Sequence, residues 1–198
     1  QNPIDISFLP VPDENCHDPK VGKQGWGSLP VQNRDLIDKF RIWFMKTQAR
    51  NILEIGTFAG HSATLFLETF DVDLLLSLDP NVFSRKAALA ILEKYGDKFN
   101  FRNIKSKHWD RKGIDPDLVY IDGSHTSPNP DLDIELAFDM KPKWIMMDNI
   151  ELPDVRKAIR RKNLMQEKYD PDYFYYTTHH NGRISPGILG LFNVTDGR

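Results

Sequence analysis

The sequence has little of what would place a chain outside the ordinary globular class. It holds one cysteine, Cys16, in 198 residues. No intrachain disulfide can form, and a reducing, cytoplasmic compartment is the expectation. No apolar run approaches the roughly 20 residues that a membrane-spanning helix needs, and no secretory leader pattern is visible. The 26 lysines and arginines are matched by 28 acidic residues, for a formal net charge of −2. That balance gives no general attraction to nucleic acid or to an anionic membrane. Internal repeats and low-complexity segments are absent, and so is the Gly-x-Gly-x-x-Gly fingerprint of dinucleotide binding. What is present is 40% hydrophobic and 27% charged residues, over a length that suits one domain with a sizeable core.

The chain is organised around Asn51-Ile-Leu-Glu-Ile-Gly-Thr-Phe-Ala-Gly60. Residues 52–55 are an apolar run long enough for one buried parallel strand. Gly56 and Gly60 follow at once, and a helical pattern begins at His61. Glycine permits positive φ and close approach of a ligand. The free N–H groups of a helix start attract an anion. Taken alone, the pattern is either a plain strand-to-helix turn or an anion-binding loop. Residues 73–78 form a second apolar strand, ending at Asp79-Pro80. An acidic residue at the tip of a second strand, about 20 residues past the glycines, is placed to accept from a ribose diol.

Two further strands end in the same manner. Asp117-Leu-Val-Tyr-Ile-Asp-Gly-Ser-His125 runs into Asp122, and Lys143-Trp-Ile-Met-Met-Asp-Asn149 runs into Asp148 and Asn149. Together with Glu54-Ile-Gly-Thr-Phe-Ala-Gly60, these stretches resemble class I S-adenosylmethionine (SAM) methyltransferases. The resemblance is to the metal-dependent O-methyltransferases of the catechol and macrolide-sugar types, and it covers roughly residues 31–192. It implies that the turn with Glu54, Gly56, Thr57, Gly60 and Ser62 wraps the methionine part of SAM, and that Asp79 binds the ribose. Ser106, after the third strand, is either an adenine contact or part of a plain loop. Asp122 counts with both the cofactor and the metal, and Asp122, Asp148 and Asn149 are the implied ligands of Mg2+ or another divalent cation. Two carboxylates and an amide are oxygen-only donors of the kind magnesium takes. The other reading of these three is that they cap a turn and a helix.

His125 stands where catechol enzymes carry a lysine base, and imidazole is a competent general base near neutral pH. The departure shifts the expected acceptor away from a catechol and toward a sugar or another aliphatic diol. The alternatives are a metal-independent methyltransferase and a non-catalytic SAM-binding module. A nucleic-acid methyltransferase is disfavoured, since no Asn/Asp-Pro-Pro-aromatic motif occurs. The acceptor is therefore expected to be a small-molecule hydroxyl, with neither nucleic acid nor membrane as a partner and with a homo-oligomer left open.

The remaining segments complete an α/β pattern. Residues 1–30 read as an arm or lid, with the Gly-rich stretch around Trp26 as either an anchor or an active-site cover. Residues 31–198 read as the methyltransferase domain. Within it, helices are expected over 31–47, 60–70, 81–95, 128–140 and 152–162, and strands over 51–55, 73–78, 99–104, 117–121 and 144–147. The aromatics of the 31–47 helix are expected in the core, and the basic run 156–162 as a solvated helix face. Alternating strands and helices imply a Rossmann-like sandwich with helices on both faces. Two strand-like runs, 173–178 and 187–194, flank the turn signal Asn181-Gly182 and predict a terminal antiparallel hairpin on a mostly parallel seven-stranded sheet.

Overall fold

The computed structural model describes residues 4–11, 29–180 and 183–195. Trp26 and the turn residues Asn181 and Gly182 therefore lie outside the described residues. The elements run α1 (Arg34–Thr47), β1 (Asn51–Ile55), α2 (His61–Thr69), β2 (Leu74–Leu78), α3 (Val82–Tyr95), β3 (Phe99–Arg102), β4 (Leu118–Ile121), α4 (Asn129–Met140), β5 (Trp144–Met147), α5 (Pro153–Arg161), β6 (Asp172–His180) and β7 (Arg183–Asn193). They form one seven-stranded sheet in the order β3-β2-β1-β4-β5-β7-β6. The first five strands are parallel and β7 is antiparallel to both β5 and β6. The expected architecture is thus observed, with element boundaries shifted by a few residues.

The sheet is buried on both faces because alternate residues of each central strand are apolar in both directions. Ile52, Leu75, Leu118, Tyr120, Trp144 and Met146 face one core, shared with α1, α2 and α3. Leu53, Ile55, Leu76, Val119, Ile121, Ile145 and Met147 face a second core, under α4 and α5. In α1, Phe40 and Trp43 are fully buried, and the Trp43 indole donates to Asp172 at 2.9 Å. Ile42 and Met45 stay exposed on its outer side. Asn33 caps α1 by accepting from the Asp35 and Leu36 N–H groups. The basic α5 is a solvated face, with Lys157, Arg161 and Lys162 paired to Asp154, Asp131 and Glu135.

The hairpin is longer than the sequence suggests. Ser185-Pro186 reads as a break, yet β7 runs straight through it. β5 pairs only with Gly190–Asn193, so at Pro186 the strand has a neighbour on one side, β6. Proline is tolerated in that edge-like position. Among the described residues, no helix is long and apolar enough to cross a membrane.

Candidate active site

Register alone brings the acidic strand tips into one row. Leu78, Ile55, Ile121 and Met147 are paired across β2, β1, β4 and β5. The next residue on each strand is Asp79, Gly56, Asp122 and Asp148. Backbone bonds extend the ladder into this row: Gly56 N–H donates to Leu78 O, Asp122 N–H to Ile55 O, and Asp148 N–H to Ile121 O. With strands about 4.8 Å apart, the row occupies the carboxyl edge of the sheet, where ligands bind in open α/β folds.

The β1–β2 side is built around Asp79. One carboxylate oxygen accepts from Thr57 N–H and Phe58 N–H, each at 2.9 Å, and the other accepts from Asn81 N–H at 2.7 Å. The turn is thereby pinned to the tip of β2. Gly56 has φ +96°, and a Cβ there would lie 2.1 Å from the Asp122 carbonyl oxygen. Only glycine fits where the turn crosses β4. Gly60 has φ +81°, and a Cβ there would lie 2.7 Å from the Ile91 side chain and 3.3 Å from that of Leu9. The start of α2 carries no side-chain cap and no acidic residue in its first turn, which leaves it electropositive. Beside it, the Thr57 hydroxyl is buried with no partner among the described residues. An uncapped helix start and an orphaned hydroxyl fit a polar, carboxylate-bearing cofactor such as SAM.

Glu54 lies beneath this turn and is fully buried. It accepts from the Ser62 hydroxyl at 2.6 Å and from the Ser77 hydroxyl. Burial pushes its carboxyl up to about 8, against those two hydrogen bonds. Glu54 therefore ties α2 to β2, and the Ser62 proton points at Glu54. His61, beside it, has its pKa lowered by burial, against a hydrogen bond to the Leu29 backbone.

The β4–β5 side is charged. Asp122 lies 3.3 Å from the His125 ring (Nε2) and accepts from the Tyr120 hydroxyl at 3.3 Å. Asp148 accepts at Oδ1 from the Tyr176 hydroxyl at 2.6 Å and from Asn149 N–H at 2.7 Å. Burial, and then repulsion from Asp122, hold the Asp148 carboxyl well above the usual range. Burial disfavours the charged form of His125, but the Asp122 hydrogen bond and the fields of Asp122, Asp148 and Glu151 outweigh it, so its pKa is raised. His125 and Asp148 share the wall of a small cavity with Gly123, Ser124 and Pro130.

Mutual repulsion between a buried carboxylate, Asp148, and a half-buried one, Asp122, is a condition that a divalent cation relieves. The oxygen-only set of Asp122, Asp148 and the Asn149 amide fits such an ion. Among the described residues, no group of three His, Cys, Asp or Glu side chains forms a cation cage.

Ser106 lies in a short 3₁₀ turn after β3, and its hydroxyl donates to Asp133 of α4 at 2.5 Å. Burial pushes Asp133 up to about 6, against that hydrogen bond. Sequence reasoning passed over Asp133, Glu151, Tyr120 and Tyr176. For Asp133 the signal was a carboxylate inside the apolar stripe of Ile134, Leu136 and Ala137. For Tyr176 it was strand alternation, which turns Tyr176 inward and leaves its neighbour Tyr175 exposed.

No protein-family model matches the chain, and a search of curated proteins returned no match. Solved structures do match. An O-methyltransferase from Bacillus cereus, in complex with S-adenosylhomocysteine (SAH), is 15% identical over 88% of this chain and 86% of that one, with a TM-score of 0.62. TomG from Streptomyces achromogenes, an O-methyltransferase involved in tomaymycin synthesis and solved with SAM, is 21% identical over 81% of both chains, with a TM-score of 0.55. A protein of Pyrococcus horikoshii assigned as an RNA methyltransferase is 10% identical over 89% of both chains, with a TM-score of 0.66. The chain has the class I methyltransferase fold. Proteins with this fold carry descriptions as different as O-methyltransferase and RNA methyltransferase, so the fold by itself selects no acceptor.

Proposed function

We propose that this protein is a SAM-dependent O-methyltransferase that uses a divalent cation, most simply Mg2+, and methylates a hydroxyl of a small molecule such as a sugar, diol or catechol. The observation that carries the reading is the row itself. A glycine turn pinned by Asp79 and an open helix start stand next to a histidine, two carboxylates and an amide, on a methyltransferase fold. Bound SAM supplies an electrophilic methyl group, and a bound cation favours the ionised form of a hydroxyl that it contacts.

The chain supplies position and proton transfer. Asp79 and the α2 start hold the cofactor's ribose and carboxylate. Asp122, Asp148 and Asn149 would hold the cation. His125 accepts the hydroxyl proton, and Asp122 steadies the imidazolium that results. SAM would supply the methyl group, whose carbon–sulfur bond would break as its bond to the acceptor oxygen forms, giving a methyl ether and SAH. Asp122, Asp148 and Glu151 crowd this side with negative charge, which supports a neutral or cationic acceptor over a nucleic acid.

The test needs no known acceptor. Calorimetry with SAH present is expected to show Mg2+ binding to the wild type and none to Asp148→Ala. Binding of SAH without any metal would remove the cation from the reading and leave the fold. Once a diol panel yields an acceptor, His125→Ala is expected to lower methyl transfer by about 100-fold or more, with SAH affinity nearly unchanged. An equal loss of SAH affinity would remove His125 as the base.

A further inference from the structure

The C-terminal hairpin reaches into the β4–β5 side through one side chain. Tyr176 of β6 is paired with Gly187 of β7. A Cβ at Gly187 would lie 2.3 Å from the Tyr176 ring, so only glycine lets the ring lie flat across β7. The ring is 7% exposed. Its hydroxyl donates to Asp148 Oδ1 at 2.6 Å and lies 3.5 Å from the Asn149 amide nitrogen. Asn149 N–H donates to the same Oδ1 at 2.7 Å. Among the described residues, every hydrogen bond to the Asp148 side chain ends on Oδ1, which leaves Oδ2 to meet a cation.

Asn149 itself sits at φ +55°, a conformation asparagine tolerates better than most residues. The contact with its amide nitrogen turns the amide oxygen away from Tyr176. One hydroxyl thus touches both of the adjacent candidate ligands on β5.

We propose that Tyr176 is a positioning residue for the cation site, and that its hydroxyl fixes the rotation of the Asp148 carboxylate and the Asn149 amide so that one oxygen of each faces Asp122. Gly187 is the second half of the device, since it admits the ring. The inference rests on the divalent-cation reading of the site. Partners of this kind, which bind a metal ligand and not the metal, typically contribute 10- to 100-fold in metal affinity.

The experiment titrates magnesium chloride into SAH-saturated wild type, Tyr176→Phe and Gly187→Ala, and measures SAH affinity separately for each. Tyr176→Phe keeps the ring on Gly187 and removes only the hydroxyl. Gly187→Ala keeps the hydroxyl and displaces the ring. Both are expected to weaken Mg2+ binding by about 10-fold or more, with SAH affinity within about twofold of wild type. Equal Mg2+ affinity in wild type and Tyr176→Phe would overturn the inference and leave the cation reading standing. If Tyr176→Phe loses SAH and Mg2+ together, the hydroxyl serves the fold and the inference falls. If wild type binds SAH but no Mg2+, the cation reading falls first and the inference with it.

Discussion

On the β1–β2 side of the row, one carboxylate meets three backbone N–H groups. On the β4–β5 side, two carboxylates meet each other. Both oxygens of Asp79 are held by donors of its own turn, so that carboxylate is paired before anything binds. Asp122 and Asp148 are answered by two tyrosine hydroxyls, one histidine and the Asn149 backbone N–H. Burial and repulsion still hold Asp148 well above the usual carboxylate range. The first side spends its charge on rigidity, and a cofactor would find its cradle already formed. On the second side two carboxylates are left close enough to repel, a condition that a bound cation would relieve. The same residue type, at the same level of β2, β4 and β5, serves opposite ends because the loops around it differ. After β1, a glycine turn carries N–H groups toward Asp79. After β4, the chain turns through Gly123 and Ser124 to present His125.

The strongest way to break this comparison is to force the two sides apart where they touch. Gly56→Ala puts a Cβ 2.1 Å from the Asp122 carbonyl oxygen, at φ +96°. Steric overlap and backbone strain together predict a loss of about 4 kcal/mol or more, read from urea unfolding. A loss below about 1 kcal/mol would mean that the turn and β4 are not locked together. The next test sets one acid against the other. Asp79→Ala leaves three backbone donors without their acceptor and is expected to cost about 3 kcal/mol. Asp148→Asn keeps the Oδ1 acceptor and removes one of two repelling charges. Its stability is expected to match or exceed that of wild type by about 1 kcal/mol, while cation binding is lost. Equal destabilisation by both would erase the distinction between the two sides.

Most of the fold was legible because four of the five parallel strands, β1, β2, β4 and β5, are short apolar runs closed by an acid or a glycine, and each helix has caps or an apolar stripe. The strand-tip acids were legible for the same reason, since an ionisable residue directly after a buried strand has nowhere to go but the sheet edge. What was hidden depends on long-range register. Tyr176 lies 28 positions from Asp148, inside a run that reads as a plain aromatic strand. Its hydroxyl reaches Asp148 only because β7 inserts between β5 and β6. Pro186 hid the length of that same strand. Glu151 was hidden likewise, since its carboxylate is held by Ile188 N–H at 2.8 Å, from across the hairpin. Local patterns report which face a residue takes, and partners that meet only through an antiparallel crossover leave no such trace.

The finest test concerns Glu54, which lies under the first side and feels the second. Burial, with smaller contributions from Asp122 and Asp79, raises its carboxyl from 4.5 to about 8, against the Ser62 and Ser77 hydroxyls. Because the folded value lies above the unfolded one, the folded state binds the extra proton. Stability from this group is complete below the unfolded value, falls as pH rises, and stops falling once the folded group ionises as well. Within that window the slope is at most about 1.4 kcal/mol per pH unit. Between about pH 5.5 and about pH 7 the wild type should therefore lose about 2 kcal/mol through Glu54. Glu54→Gln cannot ionise, and its amide can still bond both hydroxyls, since serine donates or accepts. The variant should gain on the wild type by about 2 kcal/mol across that interval, read from urea unfolding at the two pH values. Parallel stability curves would show that Glu54 is ionised in the folded state, and that the turn rests on a buried charge in place of a neutral hydrogen-bonded acid.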